Sequence, residues 1–590
     1  MTGIAAARSY SDPFRKFATR PGTDHAELAR EAMASGVGVL LRLLDDASPK
    51  VVVEVARLLV RLPGTAQHSL PALRARGRKG SRPAADAGAV ACVLAVAWLA
   101  AADNREWFAG LLGDTAAHAD LRAAAAAGLA MAEPGQDPAG RPAGDAVIRL
   151  VADVAADRGS ALRRIRWHGD GVTPLSTALA RAEHLQRAVA RDLLARPEPQ
   201  EIDHALDLAR EAIEHWRSAP AELLPMVARL VPDLPAAPPR GRGRLGDCGP
   251  LVDAVKLIAD AGEAAAAHAD LLAGLLTGDP AEPWPDVAGQ AVEGLARLGD
   301  DRCLPWLIAA LQDEHGSDVS IPAVLPAMVA HAEALVPALE TFYRLGRNGI
   351  QHVECLRALA SWGAAAAPLA PMIAEVVTQR YLSIALPLLG AIGPAAAEVV
   401  PQIRALLDED DEHDRHLAAW ALWRTTGELG RAPELLVENL ARSGGHHAGE
   451  VAPMLEDLGP AAGAAVAVLR AYFHDAENGH LFARVEIARA LWAITGESDG
   501  LAAPLLESVT ERPLTDRGFR RPASDLLAVD ALGVIGGAEA VPALEAIAHG
   551  RARVTSRDVW ADERLRRVAR RALDRAGSGA GAALTPWWEV

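Results

Sequence analysis

Cysteine is scarce in this 590-residue chain: Cys92, Cys248, Cys303 and Cys355 lie far apart and form no C-x-x-C pair. That spacing speaks against a disulfide framework and a cysteine-based zinc site, and leads us to expect reduced, buried thiols in a cytoplasmic protein. Aromatics make up only 4% of the chain, and β-branched or aromatic runs with period two are hard to find, which argues against a sandwich or barrel. The opening twenty residues carry Arg8, Asp12, Arg15 and Lys16 and lack an apolar core, so no secretory signal is expected. The Ala-rich uncharged run Ala87–Ala102 is 16 residues long. It falls short of the ~20 strongly apolar residues of a spanning helix and reads as a buried one, and no membrane partner is expected. The chain has no P-loop, no H-E-x-x-H and no G-x-S-x-G, and we expect no catalytic residue, cofactor or metal site.

Apolar residues make up 50% of the chain, enough for a large core, yet 590 residues are too many for one core. Several domains or a repeat array must result. Repeats are visible. Leu417-Ala-Ala-Trp-Ala-Leu-Trp-Arg-Thr-Thr-Gly427-Glu428 recurs 69 residues later as Glu486-Ile-Ala-Arg-Ala-Leu-Trp-Ala-Ile-Thr-Gly496-Glu497. Leu389-Gly-Ala-Ile-Gly-Pro394-Ala-Ala recurs at an offset of 66, around Glu456-Asp-Leu-Gly-Pro460-Ala-Ala. Half of either offset is about 33–35 residues, the length of one helix pair in an α-solenoid. Glycines that read as helix ends follow at this spacing: Gly262, Gly299, Gly363, Gly393, Gly427, Gly459, Gly496 and Gly536. The step from Gly299 to Gly363 holds two units, with the missing boundary near His331. The fold class expected is therefore all-α, an α-solenoid of stacked antiparallel helix pairs.

The first good helix pair is Val39–Leu44 and Val51–Leu62, with Ser48 placed to cap the second helix and Pro49 at its first position. This stretch, LLRLLDDASPKVVVEVARLLVRL, resembles a HEAT repeat of the short bacterial type and is similar to the phycobilisome-lyase-like HEAT repeats. Leu406–Gly427 and Leu526–Gly536 match the same pattern, which fits well over 285–576 and more patchily over 37–232. The resemblance implies a basic residue early in the second helix, for which Lys50, Arg415 and Arg484 stand here. It also implies, by fold alone, a chromophore- or cofactor-attachment helper as one function.

Five segments are expected: a lead-in at 1–36, an irregular helical array at 37–232, a Pro/Gly-rich linker at 233–250, a second array at 251–576, and a tail at 577–590 ending in Trp587-Trp588. Within the linker, Gly241-Arg-Gly243-Arg-Leu-Gly246 matches G-x-G-x-x-G but lacks a preceding strand, so a basic loop is the better reading. Asp408–His416 is the densest acidic cluster. His413 and His416 could share a helix face and hold a divalent cation, but acids ahead of a helix N-terminus are explained by its dipole alone. His446-His447 reads as an exposed loop.

The net charge is −16, which speaks against DNA wrapping. Two basic stretches oppose it. Arg74–Arg82 holds five cations, for which a loop is the ordinary reading. Arg551–Arg575 holds nine Arg against four acids, for which a polar capping helix is the ordinary reading. Arg564, Arg567 and Arg571 are its candidate anion or nucleic-acid contacts. Trp423 and Trp492 occupy equivalent repeat positions and are expected in the core. Trp420 is free to face the groove as a partner anchor. Trp587 and Trp588 are expected to dock on the protein's own last repeat rather than on another molecule. The function expected is a non-enzymatic scaffold holding a protein or peptide along its concave surface through Trp420, Arg415, Arg484, Trp587 and Trp588. The alternative is a nucleic-acid-binding array, for which HEAT-like alkylpurine DNA glycosylases provide a resemblance of fold only.

Overall fold

The computed structural model describes residues 36–79, 86–132, 144–157, 160–164, 179, 182–196, 202–235, 249–280, 284, 286–313, 319–344, 349–377, 382–408, 414–442, 447–474, 483–510, 522–555, 558–578 and 583–588. Every element among them is an α-helix or a 3₁₀-helix, and none is a strand. The described residues build an all-α fold of the α-solenoid class, and the chain divides into two compact units, Met1–Leu234 and Pro235–Val590. The G-x-G-x-x-G stretch, Cys248, His413, His446 and nearly all of the lead-in lie outside the described residues.

In the first unit Val37–Leu43 and Pro49–Val60 form the opening pair. Pro49 takes the first helical position, but the Ser48 hydroxyl makes no capping bond; instead Asp46 Oδ1 accepts from the Ser48 N–H at 2.7 Å. Pro49–Val60 packs on Ala87–Ala100, which packs on Ala119–Ala132. Residues 88–97 of the middle helix are all buried. Small side chains permit this close layering. Arg74–Lys79 is the last turn and a half of the helix Ala66–Lys79 rather than a loop. There Arg76 Nε donates to the Leu44 carbonyl at 3.0 Å, Arg76 Nη2 lies 2.5 Å from Asp86, and Lys79 lies 2.8 Å from Asp45. These cations are engaged within the unit.

The second unit carries the repeats, and its helices are numbered from its own start. They are α1 (Gly249–Ala259), α2 (Ala269–Gly274), α3 (Asp286–Arg297), α4 (Leu304–Gln312), α5 (Ile321–Val324), α6 (Ala332–Arg344), α7 (Gly349–Leu359), α8 (Ala370–Val377), α9 (Leu382–Ile392) and α10 (Val400–Asp408). Then follow α11 (Arg415–Thr426), α12 (Ala432–Arg442), α13 (Ala448–Leu458), α14 (Val466–His474), α15 (Arg484–Thr495), α16 (Ala502–Thr510), α17 (Pro522–Ile535), α18 (Gly537–His549) and α19 (Val559–Ser578). Odd-numbered helices stack one on the next from α1 to α11 and from α13 to α19. Even-numbered helices back them. Between α11 and α13 the link runs through α12 and through Arg424, whose Nε lies 3.5 Å from Asp457 Oδ2.

Seven of the eight glycines expected at helix ends have φ between 52° and 77°. The eighth is displaced by one residue: Gly536 stays right-handed and Gly537 takes φ 54°. Two kinds of turn alternate through the paired repeats. Gly393–Val399 and Gly459–Ala465 are 3₁₀ corners. Gly427 and Gly496 are left-handed caps whose N–H groups donate to the Trp423 and Trp492 carbonyls, each at 2.7 Å. The boundary expected near His331 is a 3₁₀ corner without glycine, Leu325–His331; the Trp362 indole donates to its Leu325 carbonyl at 2.7 Å. By length and composition alone, Ile321–Arg344, Leu382–Leu407 and Ala448–His474 are apolar enough to cross a membrane. Each is two helices joined by such a corner.

The last helix of the unit returns to the first. On α19, Trp560 Nε1 donates to the Ala259 carbonyl at 3.1 Å, and Glu563 Oε2 accepts from the Glu263 N–H at 2.6 Å. Gly262 stands between them at φ 73°, and a Cβ there would fall 2.3 Å from Glu563 Oε2. Gly262→Ala is therefore expected to destabilise the second unit by about 2–4 kcal/mol, combining the left-handed backbone penalty with steric displacement. The check is a denaturant titration, in which an unchanged midpoint would show that the closing contact does not form.

Candidate functional site

Superposing the repeats by sequence pairs Gly390 on α9 with Glu456 on α13, and Trp420 on α11 with Arg489 on α15. Asp530 on α17 precedes the turning Gly537 by the same seven residues that separate Trp420 and Arg489 from Gly427 and Gly496, and the five positions are taken together as a row on successive odd helices. Trp420 and Arg489 are fully buried, and Asp530 is 1% exposed. Neighbours in this row complement one another. A Cβ on Gly390 would fall 2.1 Å from the Trp420 ring, so only glycine leaves room for that indole. Where the next repeat has Arg489 in place of Trp420, it has Glu456 in place of Gly390. Arg489 meets Glu456 through two hydrogen bonds, 2.9 Å from Nε and 2.7 Å from Nη2. Its Nη1 donates to Asp530 Oδ2 at 2.9 Å and to the Leu527 carbonyl at 3.3 Å. Arg575 on α19 completes a second pair with Asp530.

The chain's own residues 583–588 lie along this row. Arg489 Nη2 donates to the Thr585 carbonyl at 2.7 Å, and Asp530 Oδ2 accepts from the Thr585 N–H at 3.0 Å. Both main-chain groups of one tail residue are thus satisfied by buried, oppositely charged side chains. The Thr585 hydroxyl donates to Asp530 Oδ1 at 2.7 Å, and Arg575 donates to the Ala583 carbonyl at 3.2 Å. Further on, Trp587 and Trp588 pack edge to face with centroids 5.3 Å apart, and both sit on Trp420, at 6.1 and 6.5 Å. The Arg424 guanidinium lies 4.5 Å from the Trp588 ring centre, a cation–π distance. Arg424 Nε also donates to the Gly390 carbonyl at 3.1 Å.

Charge explains why this row tolerates burial. Two guanidinium groups face two carboxylates, so the cluster is neutral. Burial alone would raise the Asp530 carboxyl, but the bonds from Arg575, the charge of Arg489 and the Thr585 hydroxyl outweigh it and hold it below the ordinary carboxylate range. Burial pushes Glu456 up against the opposing pull of Arg489. Asp457 is pushed by burial up to about 6, opposed by Arg424. The buried thiols of Cys92, Cys303 and Cys355 are each pushed up to about 12 by burial, which leaves them unreactive.

The structure brings Trp420, Trp587 and Trp588 together, so the terminal pair docks on α11 rather than on the last repeat as expected. Trp420 lies under the tail rather than at an open groove. Burial of the repeat tryptophans runs opposite to the expectation for the core: Trp423 and Trp492 are half-buried, with Trp423 packed on Ala419, Ala432 and Leu435. The reason is long-range, because a segment more than 150 residues away in sequence covers the Trp420 side. Arg415 and Arg484 occupy the first positions of α11 and α15, both half-buried. Arg564, Arg567 and Arg571 are exposed on α19, and Arg567 reaches Glu263 at 3.8 Å. His416 is buried in the first turn of α11, and among the described residues no group of three or more His, Cys, Asp or Glu side chains is placed to hold a metal. Glu456, Arg489, Asp530 and Arg575 carry the site and are not singled out by motif. The signal for them is the repeat superposition, which puts an Arg and an Asp in the slot of a buried Trp.

No family model matches the chain, and no curated protein matches it. Among solved structures it is similar to the karyopherin Kap121p bound to the SUMO protease Ulp1p, with TM-score 0.44 and 13% identity over 92% of this chain. It spans 66% of that chain's length. It is also similar to yeast importin-beta (Kap95p), with TM-score 0.40 and 13% identity, covering 98% of this chain and 93% of the other. These likenesses are distant in sequence and in superposition, and the repeat architecture stands on the helix packing described above.

Arg489→Ala is expected to destabilise the second unit by about 3–5 kcal/mol, because it leaves Glu456 and Asp530 buried without their shared cation; a denaturant titration reads this, and a loss below 1 kcal/mol would overturn the network. The raised Asp457 makes a prediction of opposite sign to ordinary acid unfolding. With a native value near 6 and an unfolded value near 4, the native state binds more protons across that window, so this group's contribution to stability falls as pH rises from about 4 to about 6. Asp457→Asn should flatten that part of the stability profile, and melting curves taken across it that parallel the parent's would refute the assignment.

Proposed function

We propose that this chain is a non-enzymatic scaffold whose second unit binds a protein partner by holding an extended peptide segment along α11, α13, α15 and α17. The observation that supports this is the clamp on Thr585, whose N–H and C=O are taken by Asp530 and Arg489. Main-chain recognition flanked by an aromatic seat is the ordinary chemistry of peptide grooves. Such binding suits a cytoplasmic protein with reduced thiols. The bacterial lyase-like subtype remains a resemblance of repeat pattern on which this reading does not depend.

A second reading, nucleic-acid binding, draws on the exposed Arg564, Arg567, Arg570 and Arg571 of α19. The two readings separate in one experiment: capture from host extract with and without nuclease, using the parent chain and the Arg424→Glu variant. The scaffold reading expects a stoichiometric protein that survives nuclease and is reduced by Arg424→Glu. Recovery of nucleic acid, with loss of all protein on nuclease treatment and a steep salt dependence, would replace it with the second.

A further inference from the structure

We infer that residues 583–588 are a built-in competitor: the tail occupies the peptide-binding face, and a partner segment of the same chemistry must displace it. This rests on the reading of that face as a peptide groove. The partner chemistry follows from the contacts. The clamp formed by Arg489 and Asp530 reads main-chain groups and accepts any extended residue. Asp530 Oδ1 selects a hydroxyl or another donor at the clamped position. The seat made by Trp420 and Arg424 selects aromatic rings two and three residues later. The occupant that fits is an extended segment with a hydroxyl residue followed, after one residue, by paired aromatics.

Two observations mark the tail as displaceable rather than as part of the core. It is joined to α19 through only residues 579–582, and its two indoles remain half-exposed although they sit on a fully buried one. Among the described residues the buried Trp587 Nε1 also has no acceptor, and an unpaired buried donor weakens docking. A short tether still makes the tail a strong competitor, because it is present at an effective concentration on the order of millimolar. A free segment binding at ~10 μM would then be weakened roughly 100-fold by the tail.

The test uses the full-length chain and a fluorescent synthetic peptide of residues 581–590. The Trp587→Ala/Trp588→Ala variant should bind this peptide at least 10-fold more tightly than the parent chain does. A control peptide with both Trp replaced by Ala should bind neither. Equal binding to parent and variant would overturn the competitor while leaving the groove standing. Binding to neither would overturn both. A parent chain that sediments as a dimer, and a variant that is monomeric, would assign the tail to a second copy and overturn the intramolecular form. If melting shows that the double substitution unfolds the chain, Thr585→Val weakens the same contact while keeping both indoles, and the comparison is repeated with it.

Discussion

The second unit depends on one buried cation. Arg489, on α15, is the point at which α13, α17 and the tail meet: Nε and Nη2 hold Glu456 of α13, Nη1 holds Asp530 and the Leu527 carbonyl of α17, and Nη2 also holds the Thr585 carbonyl of the tail. A planar group with five donors can do this; an ammonium cannot, because its donors radiate from one atom. Removing either carboxylate would leave the remaining charges unbalanced in a poorly solvated place, and removing either carbonyl would leave a buried donor unpaired. The surroundings are therefore set in number as well as kind: Glu456 and Asp530 to oppose Arg489 and Arg575, and one carbonyl each from Leu527 and Thr585 to take the remaining donors. The tail enters this arrangement as a hydrogen-bonding partner of the network. Its docking is thereby linked to the packing of three repeats.

The same slot one repeat earlier uses a different chemistry for the same geometry. There an indole fills the space, glycine opposite makes room, and the tail contributes rings instead of amides. A repeat protein can vary one position along its row in this way while its corners and caps stay constant. The variation converts a uniform surface into an ordered one, polar beside Asp530 and aromatic beside Trp420, and the tail runs across it in one direction. An extended segment laid the other way would set its rings against Asp530 and its hydroxyl against Trp420.

Much of the fold was legible because it is local. The 66- and 69-residue recurrences mark two kinds of turn, and seven expected glycines take a positive φ. Gly536 misleads by one residue because two glycines adjoin and only the second turns. The Ser48 side chain makes no cap because the Val51 and Val52 amides both donate to the Ser48 carbonyl, while Asp46 accepts from the Ser48 N–H. The site was less legible because it is not local. Nothing in the periodicity of α11 says that its Trp420 side is covered by residue 587, or that Arg489 meets a carbonyl 96 residues on. Docking of the terminal Trp pair on the chain itself could be foreseen from the cost of exposing it. Its seat could not, although the substitution of Trp by Arg and then Asp at one repeat position was in view.

The contact between α19 and the turn after α1 joins residues 300 apart. In an open array a repeat can be gained or lost with only its immediate neighbours affected. Here every helix pair between the two ends sets the position at which Trp560 and Glu563 arrive. A duplication or deletion in the middle would carry them past the Ala259 carbonyl and the Glu263 amide, even with each local interface intact. The second unit thus has a counted number of repeats: its lineage could change the chemistry of the row one complementary set at a time, but not how many repeats there are.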